Sequence, residues 1–266
     1  MIRVAVTGVA GRMGSRILSL LLHENEIEVV GATEAEGNPS LGKDAGIVGG
    51  VGEINLLVSD KIDKAAADAD VIVDFSTSEA TLKNAEYASM TSKAMVIGTT
   101  GFKLEEQKRI IELAGSFPSV ISPNMSIGVN VMFEIAKRLA GFLRDEFDVE
   151  IVETHHKHKI DSPSGTALRL GEEIAGALGR DFKTVARFER HGQIGERKKG
   201  EIGLQTIRGG DVIGEHTAIF FGQGERIELT HKASNRDNFA RGAVRAVKWV
   251  VGKPPGIYSM KDVLGI

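Results

Sequence analysis

An α/β protein in two parts, the first of them a parallel sheet built to hold a nucleotide, follows from three features of this 266-residue chain. A β-branched run over residues 2–7 leads into Gly8-Val9-Ala10-Gly11-Arg12-Met13-Gly14 and then into an apolar helical pattern reaching Leu22. Short apolar runs alternate with helical stretches as far as residue 126, the rhythm of successive βα units. Past residue 144, apart from a helix at 167–178, a period of two takes over, and a helical stripe returns at residues 237–250. The expected plan is an N-terminal Rossmann-type parallel sheet from residues 1–126 plus 237–266. An α+β unit with a mixed sheet, residues 127–236, is inserted into it, and the C-terminal helix returns to the first part.

Composition narrows the class. Hydrophobic residues make up 42% and charged residues 26%, as in ordinary globular domains. A net charge of −3 exerts no general pull on nucleic acid or anionic membrane, and 5% aromatics leave no stacking platform. With no cysteine the chain forms neither disulfides nor thiolate metal sites, which fits a reducing compartment. No apolar run approaches the ~20 residues that span a bilayer. Met1-Ile2-Arg3-Val4 enters a strand directly, with no signal peptide before it. A soluble cytoplasmic protein without nucleic-acid or membrane partners is expected.

The glycine-rich turn sits in the context of a dinucleotide site. A second strand over residues 27–32 ends at Glu34, twenty residues beyond Gly14. Strand, turn, helix, strand and acid in this order let the backbone approach a pyrophosphate at the helix N-terminus. The spacing Gly-x-x-Gly-x-x-Gly is a variant of the usual one, so the context carries the assignment. Glu34 can accept both ribose hydroxyls of NAD, whereas a 2′-phosphate would meet a carboxylate. Ala35 offers no neighbouring arginine, and Arg12 is the nearest cation. The pattern leans toward NADH.

The array continues with a helix at 64–69, a strand at 71–76, a helix at 79–90 and a strand at 94–97. A helix at 104–114 and a strand at 120–122 complete it. Ligands of open parallel sheets bind beyond the carboxyl ends of strands. Phe75-Ser76, Gly98-Thr99-Thr100 and Ser122-Pro123-Asn124-Met125 all lie at such ends and are expected to flank a nicotinamide.

In the second part a long helix, residues 127–144, precedes a strand at 147–152. Alternation recurs at Ile202, Leu204 and Thr206, at His216, Ala218 and Phe220, and at Ile227, Leu229 and His231. Hairpin turns are expected at 208–211 and 222–225. Between strand 147–152 and a helix at 167–178 lies Glu-Thr-His-His-Lys-His-Lys-Ile-Asp-Ser-Pro-Ser-Gly-Thr-Ala, residues 153–167. Its imidazoles leave a strand end, and the Ser164, Gly165 and Thr166 amides open a helix, a ready anion cradle. Proton donors, fixed cations and an anion cradle together suit a small anionic substrate that must be protonated. A metal site at His155, His156 and His158, completed by Glu153 and Asp161, is the competing reading. Adjacent strand residues point to opposite faces, and Lys157 and Lys159 repel a divalent cation, so no metal is expected. His158 and Lys157 read as solvated residues, His216 and His231 as structural or interface residues.

His155-His156-Lys157-His158-Lys159, followed by Asp161-Ser162-Pro163-Ser164-Gly165-Thr166-Ala167, resembles the signature of the 4-hydroxy-tetrahydrodipicolinate (dihydrodipicolinate) reductases. The likeness extends over residues 6–14, 96–102, 124–130, 214–217 and 230–234, in the family's order. It implies a Rossmann domain plus an α+β domain whose sheets assemble a homotetramer. It also implies reduction of the dicarboxylate 4-hydroxy-tetrahydrodipicolinate by NADH and/or NADPH, in the diaminopimelate route to lysine. By the same resemblance His155 is the proton donor and Lys159 a second catalytic cation, while His156, Gly165 and Thr166 bind substrate carboxylate. Gly8, Val9, Ala10, Gly11, Arg12, Met13, Glu34, Gly98, Thr99, Thr100, Ser122, Pro123, Asn124 and Met125 match nucleotide contacts. Many members carry arginine where this chain has Ala35, a departure that counts against NADPH.

The chemistry agrees with the residues. Reducing a conjugated C=C–C=N system needs a hydride at one end and a proton at the other, and imidazole supplies protons near neutrality. Two alternatives stand beside this reading: a reductase of a different cyclic imine, and a redox-silent NAD(H) sensor. A sensor has no need of a proton donor at an anion cradle, so His155 and Lys159 argue against it.

Overall fold

Alternate residues of short apolar strands go to opposite faces of a sheet, and the N-terminal strands obey this rule closely. The computed structural model describes residues 1–266 and divides into two units: Met1–Ile127 with Arg236–Ile266, and Gly128–Asn235. The first unit begins β1 (Ile2–Thr7), α1 (Gly14–Leu21), β2 (Ile27–Thr33), α2 (Ala45–Gly49) and α3 (Ile62–Ala65). It continues β3 (Val71–Asp74), α4 (Ser78–Thr91), β4 (Ala94–Ile97), α5 (Leu104–Ala114) and β5 (Pro118–Ile121). Next come α6 (Ile127–Leu143), β6 (Asp148–His155), α7 (Gly165–Ala177), α8 (Phe182–Val185), β7 (Ala186–Arg187), β8 (Ile202–Arg208), β9 (Gly214–Phe221) and β10 (Arg226–Ala233). The chain re-enters the first unit with α9 (Asp237–Val250), β11 (Gly256–Tyr258) and α10 (Met260–Leu264).

The first sheet is parallel throughout, in the order β2-β1-β3-β4-β5-β11. Val4, Val6, Val71, Val73 and Val96 face α1 and α9, where Ile17, Leu21, Ala243 and Val247 meet them. Ala5, Ile72, Met95 and Ile97 face the other way, onto Ala85, Ala88, Ile110 and Leu113 of α4 and α5. Strand order reverses between β1 and β3, the switch point at which doubly wound sheets bind ligands.

Two expectations for this unit need adjustment. The helix expected at 64–69 is α3, which starts earlier and ends at Ala65. Its last carbonyl lies directly over Gly31 of β2, where a side chain would collide with it. The α2 region was not anticipated. It is organised by Asp44, whose carboxylate accepts the amides of Gly46, Ile47, Ile54 and Leu56, a pattern with no local periodicity.

The second unit carries a mixed sheet in the order β10-β9-β6-β8-β7. The turn at 222–225 closes the expected hairpin, with Gly222 N–H donating to Glu225 O at 2.9 Å and β9 pairing antiparallel to β10. The turn at 208–211 does not close one. β6 lies between β8 and β9, parallel to the first and antiparallel to the second. Strands are spaced ~4.8 Å apart, so this connection crosses roughly twice that distance. Its amides and carbonyls bind the end of β6 instead: Gly209 N–H to His155 O, His156 N–H to Val212 O and Lys157 N–H to Gly210 O. Val149, Ile151, Ile202, Leu204, Ala218 and Phe220 pack beneath α6 and α7. On the opposite face Ile207 and Phe221 are exposed. β6 runs three residues past the expected end at 152, which puts Glu153 and His155 on the helix-covered face.

Gly242 of α9 sits against the Met125 carbonyl, with no room for a Cβ. An exposed helical Gly→Ala change stabilises by up to about 1 kcal/mol. Gly242→Ala is instead expected to destabilise by about 1–3 kcal/mol through overpacking, read as a lowered thermal midpoint. A raised midpoint would refute the close approach.

Candidate functional site

Each unit gathers part of the sequence-predicted residues. In the first, Gly8 follows β1 at φ +70, and a Cβ there would lie 3.1 Å from the Phe75 carbonyl oxygen. Only glycine combines that angle with that closeness. Val9 is buried as an anchor, Met13 packs on the core, and Ala10, Gly11 and Arg12 are exposed. No side chain caps the N-terminus of α1. Glu34 reaches the turn: its Oε1 accepts the Ala10 amide at 2.7 Å and its Oε2 accepts Asn38 Nδ2 at 3.2 Å.

The ends of β3 and β4 are tied together by a residue that sequence reasoning did not single out. Asp74 is fully buried. Its Oδ1 accepts the Ser76 amide and hydroxyl at 3.0 and 2.6 Å, and the Thr81 and Thr99 hydroxyls each at 3.0 Å. Its Oδ2 accepts Asn84 Nδ2 at 2.7 Å. Gly98 lies under the Phe75 ring, and Ser122 N–H donates to Ile97 O at 3.1 Å. Ser122 Oγ donates to Asn124 O at 2.8 Å, Met125 is buried, and Thr100 and Pro123 are exposed. The turn and the β3, β4 and β5 loops are thus joined at the switch point.

In the second unit the centre is Glu153, with no exposed surface. Its Oε2 meets His155 Nδ1 at 2.5 Å. Arg208 forks onto it, NH1 to Oε2 and NH2 to Oε1, both at 2.8 Å. Oε1 also accepts the Ser164 amide at 3.0 Å and the Thr206 hydroxyl at 3.3 Å. Burial, the largest single influence, raises the carboxyl pKa, but the Arg208, His155 and Ser164 hydrogen bonds win and hold it at about 2. Burial likewise pushes His155 below the ordinary imidazole value; Glu153 opposes this, and Lys159 and Arg208 add to it.

His155 presents its other nitrogen, Nε2, over Gly214, where a Cβ would stand 3.0 Å away. Its ring meets His216 edge-on at 5.2 Å. His216 Nε2 and the Ser164 hydroxyl lie 3.0 Å apart, and that hydroxyl also accepts the Ala167 amide as the cap of α7. Burial, then the neighbouring His155, drive His216 down to about 3, so the ring is neutral and shares one hydrogen with the Ser164 hydroxyl. Lys159 Nζ pairs with Asp161 Oδ1 at 2.8 Å. His156 has a buried Nδ1 without a partner, and His158 is exposed. Open space adjoins Gly165 at the first turn of α7. The Ser162–Pro163 peptide is cis.

Glu153 is therefore no open metal ligand; both its oxygens are engaged. No group of three or more His, Cys, Asp or Glu is arranged to hold a metal ion. His216, read from sequence as structural or interface, touches the candidate donor and bonds the Ser164 hydroxyl that caps α7. Glu153 was legible in principle, two residues before His155 on one strand. Arg208 and Gly214 were not, because only the register brings them there.

A glycine turn at the switch point of a parallel sheet places the chain in the class of Rossmann-type dinucleotide-binding folds. The amine dehydrogenase of Mycobacterium smegmatis shares it, at 16% identity and a TM-score of 0.60, covering 97% of this chain and 95% of that one. Within that class, family models for the N-terminus and C-terminus of dihydrodipicolinate reductase match residues 2–125 and 128–264, and the chain belongs to this family. The 4-hydroxy-tetrahydrodipicolinate reductases of Geotalea daltonii and Geobacter sulfurreducens are 54% and 52% identical to it over the full length of both chains. The dipicolinate-bound dihydrodipicolinate reductase of Paenisporosarcina sp. TG-14 has the same fold, with a TM-score of 0.77 at 24% identity and 97% coverage of each chain.

The buried histidine makes stability pH-dependent. His216 titrates at about 3 when folded and at 6.5 when free, so between those values the unfolded chain holds the extra proton. Its contribution is complete above pH 6.5 and is lost as pH falls toward 3; Glu153 adds a loss between 4.5 and about 2. Urea unfolding followed from neutral pH down to about pH 5 should show falling midpoints, and a shallower fall in His216→Asn. Equal slopes would contradict a neutral buried His216.

Proposed function

We propose that the chain reduces 4-hydroxy-tetrahydrodipicolinate to tetrahydrodipicolinate in the diaminopimelate route to lysine, with His155 as proton donor. The observation that carries this reading is a buried imidazole held by a carboxylate at Nδ1, with Nε2 over Gly214 and the Lys159 charge near enough to act on the ring. The relatives at 54% and 52% identity bear the name of this reaction.

The first unit is the dinucleotide-binding part, residues 1–126 plus 237–266. Its residues fit the cofactor: Gly8, at φ +70 and close against Phe75 and Ser76, allows the tight turn into α1, and the α1 amides carry no side-chain cap. Gly8, Val9, Ala10, Gly11, Arg12 and Met13 hold the pyrophosphate, and Glu34 the ribose. Gly98, Thr99 and Thr100, with Ser122, Pro123, Asn124 and Met125, line the nicotinamide end. When bound, the dinucleotide supplies the hydride. Glu34 followed by Ala35 supports NADH over NADPH.

The second unit, residues 127–236, binds substrate and assembles the protein. The Gly165 and Thr166 amides and His156 take substrate carboxylate, and the Lys159 ammonium adds a fixed positive charge. The dipicolinate of the Paenisporosarcina protein is a dicarboxylate of the kind this cradle suits. His155 donates from Nε2, since Nδ1 is committed to Glu153. The sheet face with exposed Ile207 and Phe221 supports pairing with a second copy, within a homotetramer. A cytoplasmic setting completes the reading; no helix is long and apolar enough to cross a membrane.

The test is oxidation of NADH and of NADPH with substrate made from pyruvate and aspartate semialdehyde by a synthase. Rapid synthase-dependent oxidation, faster with NADH, is expected; tight NADH binding without oxidation would favour the sensor or another imine. His155→Gln is expected to lower kcat by about 10²–10⁴-fold with NADH affinity little changed. An unaltered rate would remove His155 from the proton-donor role.

A further inference from the structure

We infer that Glu153 and Arg208 act together as positioning residues that lock the proton donor, the lysine segment and the anion cradle into one rigid arrangement. This inference rests on the reductase reading above. The two oxygens of one carboxylate are divided between two jobs: Oε2 holds His155 Nδ1 at 2.5 Å, and Oε1 holds the Ser164 amide at 3.0 Å. The donor ring and the residue that opens the cradle are therefore spaced by a single planar group. Arg208 fixes that group with a two-point fork, and its NH2 also donates to the Asp161 carbonyl at 2.7 Å. Asp161 is the partner of Lys159 Nζ. One guanidinium thus ties the lysine segment to the carboxylate that holds the histidine.

The register produces this arrangement. β6 pairs in parallel with β8, setting Glu153 opposite Thr206 and His155 opposite Arg208. On the other side β9 sets His216 opposite Glu153. The Glu153, His155, Arg208 and His216 side chains are near neighbours across or along one face of the sheet, and the segment after β6 brings Asp161 and Ser164 back to them. The fork geometry is specific to arginine: its planar donors match both carboxylate oxygens, which a lysine cannot do.

A purely structural ion pair would account for the Arg208 fork and the full burial of Glu153. It would not account for the further bond that holds His155 by Nδ1 and leaves Nε2, over Gly214, as the ring's other nitrogen. The groups facing His155 are Glu153 on its own strand, Arg208 on β8, neutral His216 on β9 and Lys159 in the following loop. Glu153 is the one anion among two cations and a neutral ring. With it in place, an imidazolium able to give a proton from Nε2 is supported; without it, burial and both cations oppose that charge. A donor that works only when protonated loses activity as pH rises through its pKa. Removing the carboxylate moves that loss to lower pH.

The test uses the full-length protein in two variants, with NADH binding as a check on the first unit. In Glu153→Gln, the His155 ring followed by NMR titration without substrate should titrate about one pH unit or more lower than in the wild type. The alkaline limb of kcat/KM should move the same way, with kcat reduced at least about tenfold. Arg208→Lys keeps the charge and loses the fork, so it should leave the His155 titration near its wild-type position while kcat falls and substrate KM rises. A folded Glu153→Gln with an unshifted titration and profile overturns the inference, as does an Arg208→Lys with wild-type kcat and KM. If Glu153→Gln does not fold, the Arg208→Lys result decides alone. The titration needs no turnover: a shifted His155 in Glu153→Gln, together with a wild type that never oxidises NADH, would sink the reductase reading and leave the lock standing. Turnover with an unshifted titration would do the reverse.

Discussion

The placement of β6 between β8 and β9 is the constraint on which the second unit depends. A central strand must satisfy two neighbours, so its register is set twice, once in parallel and once antiparallel. Slipping by one residue would turn Glu153 and His155 to the uncovered face and lose the Val149 and Ile151 core contacts as well. Burial of ordinary aliphatic residues thereby holds the polar ones in place. The loop from β8 to β9 passes over the end of β6 and binds its last residues through backbone groups. The chain leaves the sheet at His156 on a fixed course, toward Lys159 and the start of α7.

The two units solve the problem of a buried carboxylate differently. Asp74 is surrounded by neutral donors, an amide, three hydroxyls and a carboxamide, and its work is to hold loops together. Glu153 is answered by a guanidinium and an imidazole as well as an amide. Desolvation of a charge is costly unless partners satisfy it, and both sites meet that demand in full. Only at Glu153 is one of the partners an imidazole, a group that can gain and lose a proton. That difference separates a scaffold from a site at which protons can move.

His216 shows how a residue outside the motif enters the site. Its neutral ring hydrogen-bonds the Ser164 hydroxyl, whose oxygen accepts the Ala167 amide and caps α7. It also meets His155 edge-on. A protonated ring there would be opposed by burial and by His155 and Lys159, so a neutral ring is the state compatible with its neighbours. The exposed apolar face behind the same sheet, with Ile207 and Phe221, is separate from this polar side.

Much of this protein was determined by local sequence. The strand, glycine turn and helix at residues 2–21 follow from β-branched residues, a left-handed Gly8 and an apolar stripe. The helices at 104–114 and 237–250 agree with their apolar patterns to the residue. The His-Lys stretch and the Ser164-Gly165-Thr166 turn were readable because their chemistry is contiguous. What only tertiary structure decided is pairing across distance. The turn at 208–211 has the residues of a hairpin, yet β6, about fifty residues earlier, takes the place of its partner. Asp74 with Thr99, and Glu153 with Arg208 and His216, are 25, 55 and 63 residues apart, and no periodicity links them. Period and propensity describe which face a residue takes; the register of non-adjacent strands decides whom it meets there.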